Sequence, residues 1–263
     1  MNKRQRRAAA KAAKAAALAA GEVNAAAPAP GSQAWLQAAA LLRKAHGIKV
    51  AGAGGAAAAP PPLSNAFGAD SGAELRSLGV PPRAAAALAE AGLSEPTACQ
   101  RQCVPALCAA VDTLCVAPTG SGKTLAFLLP AVAAMERERV RAAAAEEGTE
   151  DAKTGVVVVV LAPTAELAQQ TLRELRRLLP PKPQKRVLRA RLLTKATLAG
   201  VDWANEAPGA LVATPARLAQ ALGVRIDDVK GKAWCQATWI GHGHIGPLRM
   251  RLIIGLTSLC FSK

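Results

Sequence analysis

CVAPTGSGKTLAF, residues 115–127, is the stretch whose reading decides the fold. An apolar lead gives way to Gly120 and Gly122, and then to a helix-favouring run that begins at Lys123. The pattern is a strand, a turn and a helix. The two glycines permit backbone conformations that a Cβ forbids, so successive N–H groups can turn inward around an anion. The positive end of the following helix dipole favours the same negative charge. Lys123 is placed to reach the outer phosphates of a nucleoside triphosphate, and the Thr124 hydroxyl to hold its Mg²⁺. The sequence departs from G-x-x-x-x-G-K-[ST] at one position, where Ala117 stands for the first glycine.

Working outward, helices and strands alternate. PPRAAAALAEAG (81–92) predicts a helix closed by Gly92, and PTACQRQCVPALCAA (96–110) a second helix. TLCVAP (113–118) predicts a strand. VVVVVLAP (156–163), apolar and β-branched throughout, predicts a central parallel strand covered on both faces. AELAQQTLRELRRLL (165–179) is a helix, RVLRARLL (186–193) a strand, ALVATP (210–215) a strand and ARLAQAL (216–222) a helix. This alternation predicts an α/β domain with a parallel sheet flanked by helices, in which ligands bind at the carboxyl ends of the strands. Upstream, MNKRQRRAAAKAAKAAALAA predicts a basic arm, disordered or helical, and AWLQAAALLRKAHG (34–47) one short helix ended by Gly47.

The net charge of +15 is concentrated at the two ends. Residues 1–50 hold nine Lys/Arg against one acid, residues 51–228 hold 19 against 17, and residues 229–263 hold five against none. Global charge therefore says little about the middle of the chain. KRQRR (3–7) fits a nuclear or nucleolar address, and an Arg-rich, acid-poor start fits an organelle transit peptide. No apolar run has the length of a membrane span. The six cysteines show no C-x-x-C spacing. Cys99, Cys103 and Cys108 offer a weak zinc-ligand pattern, set against their reading as buried apolar residues. His242 and His244, with Cys235 and Cys260, offer another weak one.

Gln100 lies 23 residues before Lys123. Alone, a glutamine on a helix is an ordinary solvated side chain, but its amide can also pair with adenine N6 and N7 and so select ATP. Together these segments resemble the amino-terminal RecA-like domain of DEAD-box RNA helicases, in which an isolated aromatic precedes G-F-x-x-P-T-x-x-Q. Phe67 stands as the aromatic; Gly92, Pro96, Thr97 and Gln100 match, and Leu93 replaces the usual phenylalanine. APTGSGKT (117–124) is that family's first nucleotide motif, alanine included. The resemblance thus implies nucleotide contacts from Phe67, Pro96, Thr97 and Gln100, and from Ala117, Thr119, Gly120, Ser121, Gly122, Lys123 and Thr124, with ATP and Mg²⁺ as cofactors. PTAEL (163–167) resembles P-T-R-E-L, with Ala165 for arginine, and TPAR (214–217) resembles T-P-G-R, with Ala216 for glycine. The resemblance implies a grip on one strand of single-stranded or structured RNA through Pro163, Thr164, Glu166, Thr214, Pro215 and Arg217. Hydroxyls, backbone N–H groups and a guanidinium can hold phosphates without reading bases. Loss of the arginine at 165 predicts a weaker grip. An unrelated P-loop enzyme, such as a nucleotide kinase, would share the loop but lack these companions. GIKVAG (47–52), the proline-rich stretch after it and the long spacer from Phe67 to Gly92 resemble the branch serving small-ribosomal-subunit biogenesis. That implies pre-rRNA and the nucleolus.

VRIDDVK (224–230) resembles the family segment leading into the strand that ends in the D-E-A-D box. Continuing its register puts the two catalytic acids near positions 235 and 236, where Cys235 and Gln236 stand. No Asp or Glu follows Asp228. Composition shifts at the same place, with alanine falling to two of the last 33 residues while Trp234 and Trp239 appear. The expected organisation is a basic arm and linker over 1–62, a partial helicase ATP-binding RecA-like domain over 63–230, and a tail over 231–263 foreign to the family. A retained intron or a frameshift after Lys230 would produce it. No catalytic residue is assigned. The family implies an ATP-dependent RNA helicase; this chain alone is expected to bind nucleotide, with negligible hydrolysis and no unwinding. The alternative is a non-catalytic ATP- or RNA-binding module that regulates a full-length helicase. Truncation also predicts an exposed edge beside Val156–Val160.

Overall fold

The structure, a computed structural model, describes residues 32–52, 62, 80–93, 96–144, 156–181, 188–200, 209–221, 240–245 and 248–255. Phe67 and the arm over 1–31 lie outside them, as do Cys235 and Cys260. The sheet grows from β1 (Val158–Leu161), whose four residues are all buried. β3 (Ala210–Ala213) runs parallel to β1, with Val158 opposite Ala210 and Leu161 opposite Ala213. β2 (Ala190–Leu192) runs parallel on the outer side of β3.

Strand geometry sends alternate residues to opposite faces, and both faces of β1 are used. Val158 and Val160 pack into the larger core with Leu128, Val132 and Leu175, while Val159 and Leu161 pack with Leu193, Leu211 and Leu218 on the other face. This is why an unbroken apolar run, rather than an alternating one, marks the central strand. Among the described residues the helices are α1 (Gln33–His46), α2 (Pro82–Glu90), α3 (Ala98–Cys108), α4 (Lys123–Ala144), α5 (Ala165–Leu178), α6 (Lys195–Gly200) and α7 (Pro215–Ala221), and α4 and α5 lie against the sheet. Gly47 ends α1 in the left-handed region at φ +65°, its N–H turned back to Arg43 and Lys44 carbonyls. Gly92, at φ +72°, lies one residue past the C-cap of α2.

α1 does not stand apart from the domain. Its Arg43, buried at 6% exposure, donates from Nε to Gln102 Oε1 of α3 at 2.8 Å. No helix among the described residues is long and apolar enough to cross a membrane.

Two expectations are corrected. TLCVAP forms no strand: residues 111–118 pair with no ladder. Thr113, Cys115 and Ala117 are half-buried, whereas Leu114 and Val116 are 61% and 60% exposed. The segment therefore has the period of a strand with one packed face, and lacks only a hydrogen-bonding neighbour. The other correction concerns the edge beside β1. The backbone of β5 (Leu248–Gly255) pairs there in parallel, Val158 opposite Leu252 and Leu161 opposite Gly255. β4 (Ile240–Ile245) pairs antiparallel with β5, giving the order β2-β3-β1-β5-β4. An unpaired edge on the most apolar strand would leave a row of N–H and C=O groups open. The apolar run in LRMRLIIG (248–255) supplies the strand that satisfies them.

Candidate functional site

Between TLCVAP and α4 the chain turns on Gly120 and Gly122, at φ +79° and +81°. Residues with a side chain reach this region only at a cost of about 1–2 kcal/mol, so the sequence reading of both glycines holds. Lys123 folds back over its own loop, and its Nζ donates to the Ala117 and Pro118 carbonyls at 2.6 Å each. These are neutral acceptors; a phosphate oxygen, being charged, makes the stronger bond. Thr124 is half-buried in the first turn of α4. Ser121 Oγ is buried without a hydrogen-bond partner. That orphan hydroxyl, two glycines at positive φ and an ammonium held by loop carbonyls together fit a polyphosphate. The Thr124 hydroxyl is the hard oxygen donor that Mg²⁺ takes.

The segment before α3 grips this loop from behind. Thr97 caps α3: its Oγ1 accepts from Gln100 N at 3.4 Å, while Gln100 Oε1 accepts from Thr97 N at 3.0 Å. This reciprocal capping box satisfies two donors that a helix start leaves open. The same two side chains then reach the loop. Thr97 Oγ1 donates to the Ser121 carbonyl at 2.6 Å, and Gln100 Nε2 to the Gly122 carbonyl at 3.1 Å. Gln100 is 4% exposed, and Pro96 is buried beside Thr97. The amide assigned to adenine from sequence is thus a clamp on the phosphate loop. Its second N–H and a second oxygen lone pair lie outside these two bonds.

We expect Thr97→Ala to lower unfolding free energy by about 1 kcal/mol through loss of the cap, read by denaturant unfolding. Thr97→Ser, which keeps the hydroxyl, should recover most of it.

The second group of candidates lies at the carboxyl ends of β1 and β3. Because Leu161 and Ala213 are register partners, and Ala162 N donates to Ala213 O at 2.8 Å, Pro163–Thr164 and Thr214–Pro215 leave the sheet side by side. Thr164 is exposed and caps α5, its Oγ1 accepting from Leu167 N at 3.3 Å. Thr214, Pro215 and Arg217 are half-buried, and Arg217 Nη1 donates to Gln220 Oε1 at 2.9 Å. Glu166 is exposed, and its own backbone N–H and the Thr164 hydroxyl hold its carboxyl below the usual range. An ionised carboxylate repels a phosphate, so its contribution here is to the first turn of α5.

A third cluster adjoins the loop. The sulfurs of Cys99, Cys103 and Cys115 all lie within 4.8 Å of one another, and Cys99 Sγ is 3.4 Å from Cys115 Sγ. Cys108 is not among them. Positions 99 and 103 are one helical turn apart on α3, whereas 108 is roughly 180° round the helix from 99. The thiols of Cys103 and Cys99, aided by the nearby Lys123 charge, draw Cys115 down to about 3 against the opposing effect of burial. Cys99 rises to about 12: the Cys103 contact lowers it, but Cys115 and burial outweigh that. Cys103, hydrogen-bonded by Cys115 and Cys99 and buried, is pushed well above the ordinary thiol range. Sequence spacing revealed the 99/103 pair but gave no signal for Cys115, which reaches them only through the tertiary fold.

The model of the DEAD/DEAH box helicase family matches residues 97–234, just over half of the chain. DEAD-box ATP-dependent RNA helicase 57 of Arabidopsis thaliana is 33% identical over 196 residues, which cover 72% of this chain and 30% of that protein. The protein of the same name from Oryza sativa subsp. japonica is 34% identical over 200 residues, covering 74% and 31%. DEAD-box ATP-dependent RNA helicase 47, mitochondrial, of Arabidopsis thaliana is 33% identical over 147 residues, covering 54% and 26%. The chain thus spans less than a third of the length of these relatives. Among solved structures, the yeast DEAD-box splicing factor Prp28 superimposes with a TM-score of 0.51 at 25% identity, over 71% of this chain and 40% of that one.

Proposed function

The chain belongs to the DEAD/DEAH box helicase family, and on that footing we propose that it is an ATP- and RNA-binding RecA-like unit of a DEAD-box ATP-dependent RNA helicase. One observation carries this reading. A phosphate loop clamped by Thr97 and Gln100 opens a helix packed on β1, and the register-paired ends of β1 and β3 present two hydroxyls and a guanidinium. Lys123 and the N–H groups of Gly120–Gly122 would hold the triphosphate, and Thr124 its Mg²⁺. ATP with Mg²⁺ supplies the phosphoryl chemistry that drives such proteins. Phosphate contacts from Thr164, Thr214 and Arg217 would hold an RNA backbone independently of base sequence.

The register of VRIDDVK puts the groups expected to hold Mg²⁺ and orient water near Cys235 and Gln236, and no Asp or Glu follows Asp228. We therefore take the chain alone to bind ATP without appreciable turnover. A regulatory role on a full-length helicase is the second reading.

Nucleotide selectivity tests the assignment. If the spare valences of the Gln100 amide read adenine, the chain prefers ATP to GTP, and Gln100→Ala reduces that preference by about tenfold, the lower end of what a bidentate base contact contributes. Competition of unlabelled ATP and GTP for one bound fluorescent nucleotide measures it. Equal competition on the parent chain would remove adenine recognition from the proposal. For the compartment, we favour the nucleolus on the basic KRQRR arm, with pre-rRNA as the RNA; the mitochondrial relative supports an organelle instead. Residues 1–31 fused to a fluorescent protein would distinguish the two.

A further inference from the structure

We propose that Cys99, Cys103 and Cys115 form a binding site for a soft, thiophilic metal ion, Zn²⁺ or Cu⁺, held by three thiolates. The three sulfurs converge from two segments and lie within 4.8 Å of one another. A zinc–thiolate bond of about 2.3 Å in tetrahedral geometry requires sulfurs roughly 3.8 Å apart. Cys99 Sγ and Cys115 Sγ, at 3.4 Å, need to move by only a few tenths of an ångström. Cys103 is 6% exposed and Cys99 and Cys115 are half-buried, so the group is partly open to solvent.

Softness of the donors selects the metal. Thiolates favour Zn²⁺ and Cu⁺ over Mg²⁺, which takes oxygen. The site is therefore chemically distinct from the Mg²⁺ position at Thr124, although only a few residues separate them in sequence. Among the described residues no fourth ligand joins the three. This leaves Cu⁺ a trigonal site, or Zn²⁺ one position for water. On binding, protons held by the thiols pass to solvent; no electron transfer is involved. Three thiolates around Zn²⁺ leave one net negative charge, and the Lys123 ammonium already acts on Cys99 and Cys115 to offset it.

The position gives the site a consequence. Cys99 precedes Gln100, and Cys115 is two residues before Ala117, so a bound ion would lock the clamping helix α3 to the segment that enters the phosphate loop. That consequence rests on the nucleotide-binding reading above; the metal site does not.

The test titrates the reduced full chain with Zn²⁺ against a chromophoric chelator, and in a second arm with Cu⁺ against a cuprous chelator. One equivalent of at least one metal is expected to bind. Cys99→Ser and Cys115→Ser should each weaken it at least about 100-fold, the upper range of what even an outer-shell partner contributes. Cys108→Ala should leave it unchanged. Because Cys103 is buried and its variant could misfold, the half-buried pair carries the test, with circular dichroism establishing that each variant is folded. Binding of either ion that survives the Cys99→Ser/Cys115→Ser double substitution would place it elsewhere and overturn the proposal. So would a folded parent chain that takes up neither metal. Neither readout uses nucleotide, so this failure is distinguishable from failure of the nucleotide-binding reading.

Discussion

Lys123→Ala is expected to weaken binding of ATP–Mg²⁺ to this chain by about 10- to 100-fold, while leaving its unfolding midpoint nearly unchanged. The ammonium lies at the mouth of the phosphate loop, bonded among the described residues at 2.6 Å only to carbonyls of Ala117 and Pro118. Its removal therefore breaks two contacts that a folded loop retains other means of replacing, including water. With a triphosphate bound, however, the same group becomes the cation nearest the outer phosphates. A hydrogen bond to a charged partner contributes about 1.5–3 kcal/mol, and each 1.4 kcal/mol is about tenfold in affinity. Fluorescence anisotropy of a labelled ATP analogue, alongside thermal unfolding of both proteins, separates the two effects. A large fall in melting temperature would assign Lys123 a structural role instead.

Gly122→Ala should damage both binding and stability. At φ +81° an alanine pays about 1–2 kcal/mol for the left-handed backbone. Its Cβ would also fall on Gln100 Nε2, closer than real Cβ contacts come, with Gln100 Cδ and Thr97 Oγ1 next at 3.1 and 3.2 Å. The Gln100 amide is 4% exposed and tied at its other end to Thr97 N, so it can yield only by giving up the Gly122 carbonyl or the capping box. Leaving a buried polar group unsatisfied costs a further 1–3 kcal/mol or so. The combined expectation is a loss of about 2–5 kcal/mol in stability, with nucleotide affinity falling at least as far as in Lys123→Ala. Gly120→Ala separates the components: the φ there is +79°, but no atom lies within 4 Å of the added Cβ. It should lose only the backbone part. Equal destabilisation by the two substitutions would show that the Gln100 contact does not hold the loop.

What could be read from the sequence follows from how local each feature is. The loop was legible because two glycines and a lysine at fixed spacing leave few other conformations. β1 was legible because a strand covered on both faces must be apolar at every position, as Val158–Leu161 is. PTAEL and TPAR were each legible as following a strand, but that the two exits are neighbours comes only from the Leu161–Ala213 register. Gln100 was found, but not its grip on the loop: a hydrogen bond between residues 22 apart in sequence depends on how α3 and the loop pack. TLCVAP had the alternation of a strand, and a strand is made by a partner that its own residues do not specify. LRMRLIIG carried a legible signal, apolar residues around Arg249 and Arg251 ending in Ile253 and Ile254. Its own residues do not specify that β1 is the strand it pairs with.

The most direct test of the account is phosphate release from ATP by the purified 263-residue chain, with and without single-stranded RNA, beside Lys123→Ala and alongside nucleotide-binding titrations of both. The parent chain is expected to bind ATP saturably and the variant to bind it at least tenfold more weakly. Phosphate release by the two is expected to be indistinguishable, with or without RNA. RNA-stimulated release by the parent chain above the Lys123→Ala level would contradict it, showing that acids elsewhere in this sequence complete the catalytic site.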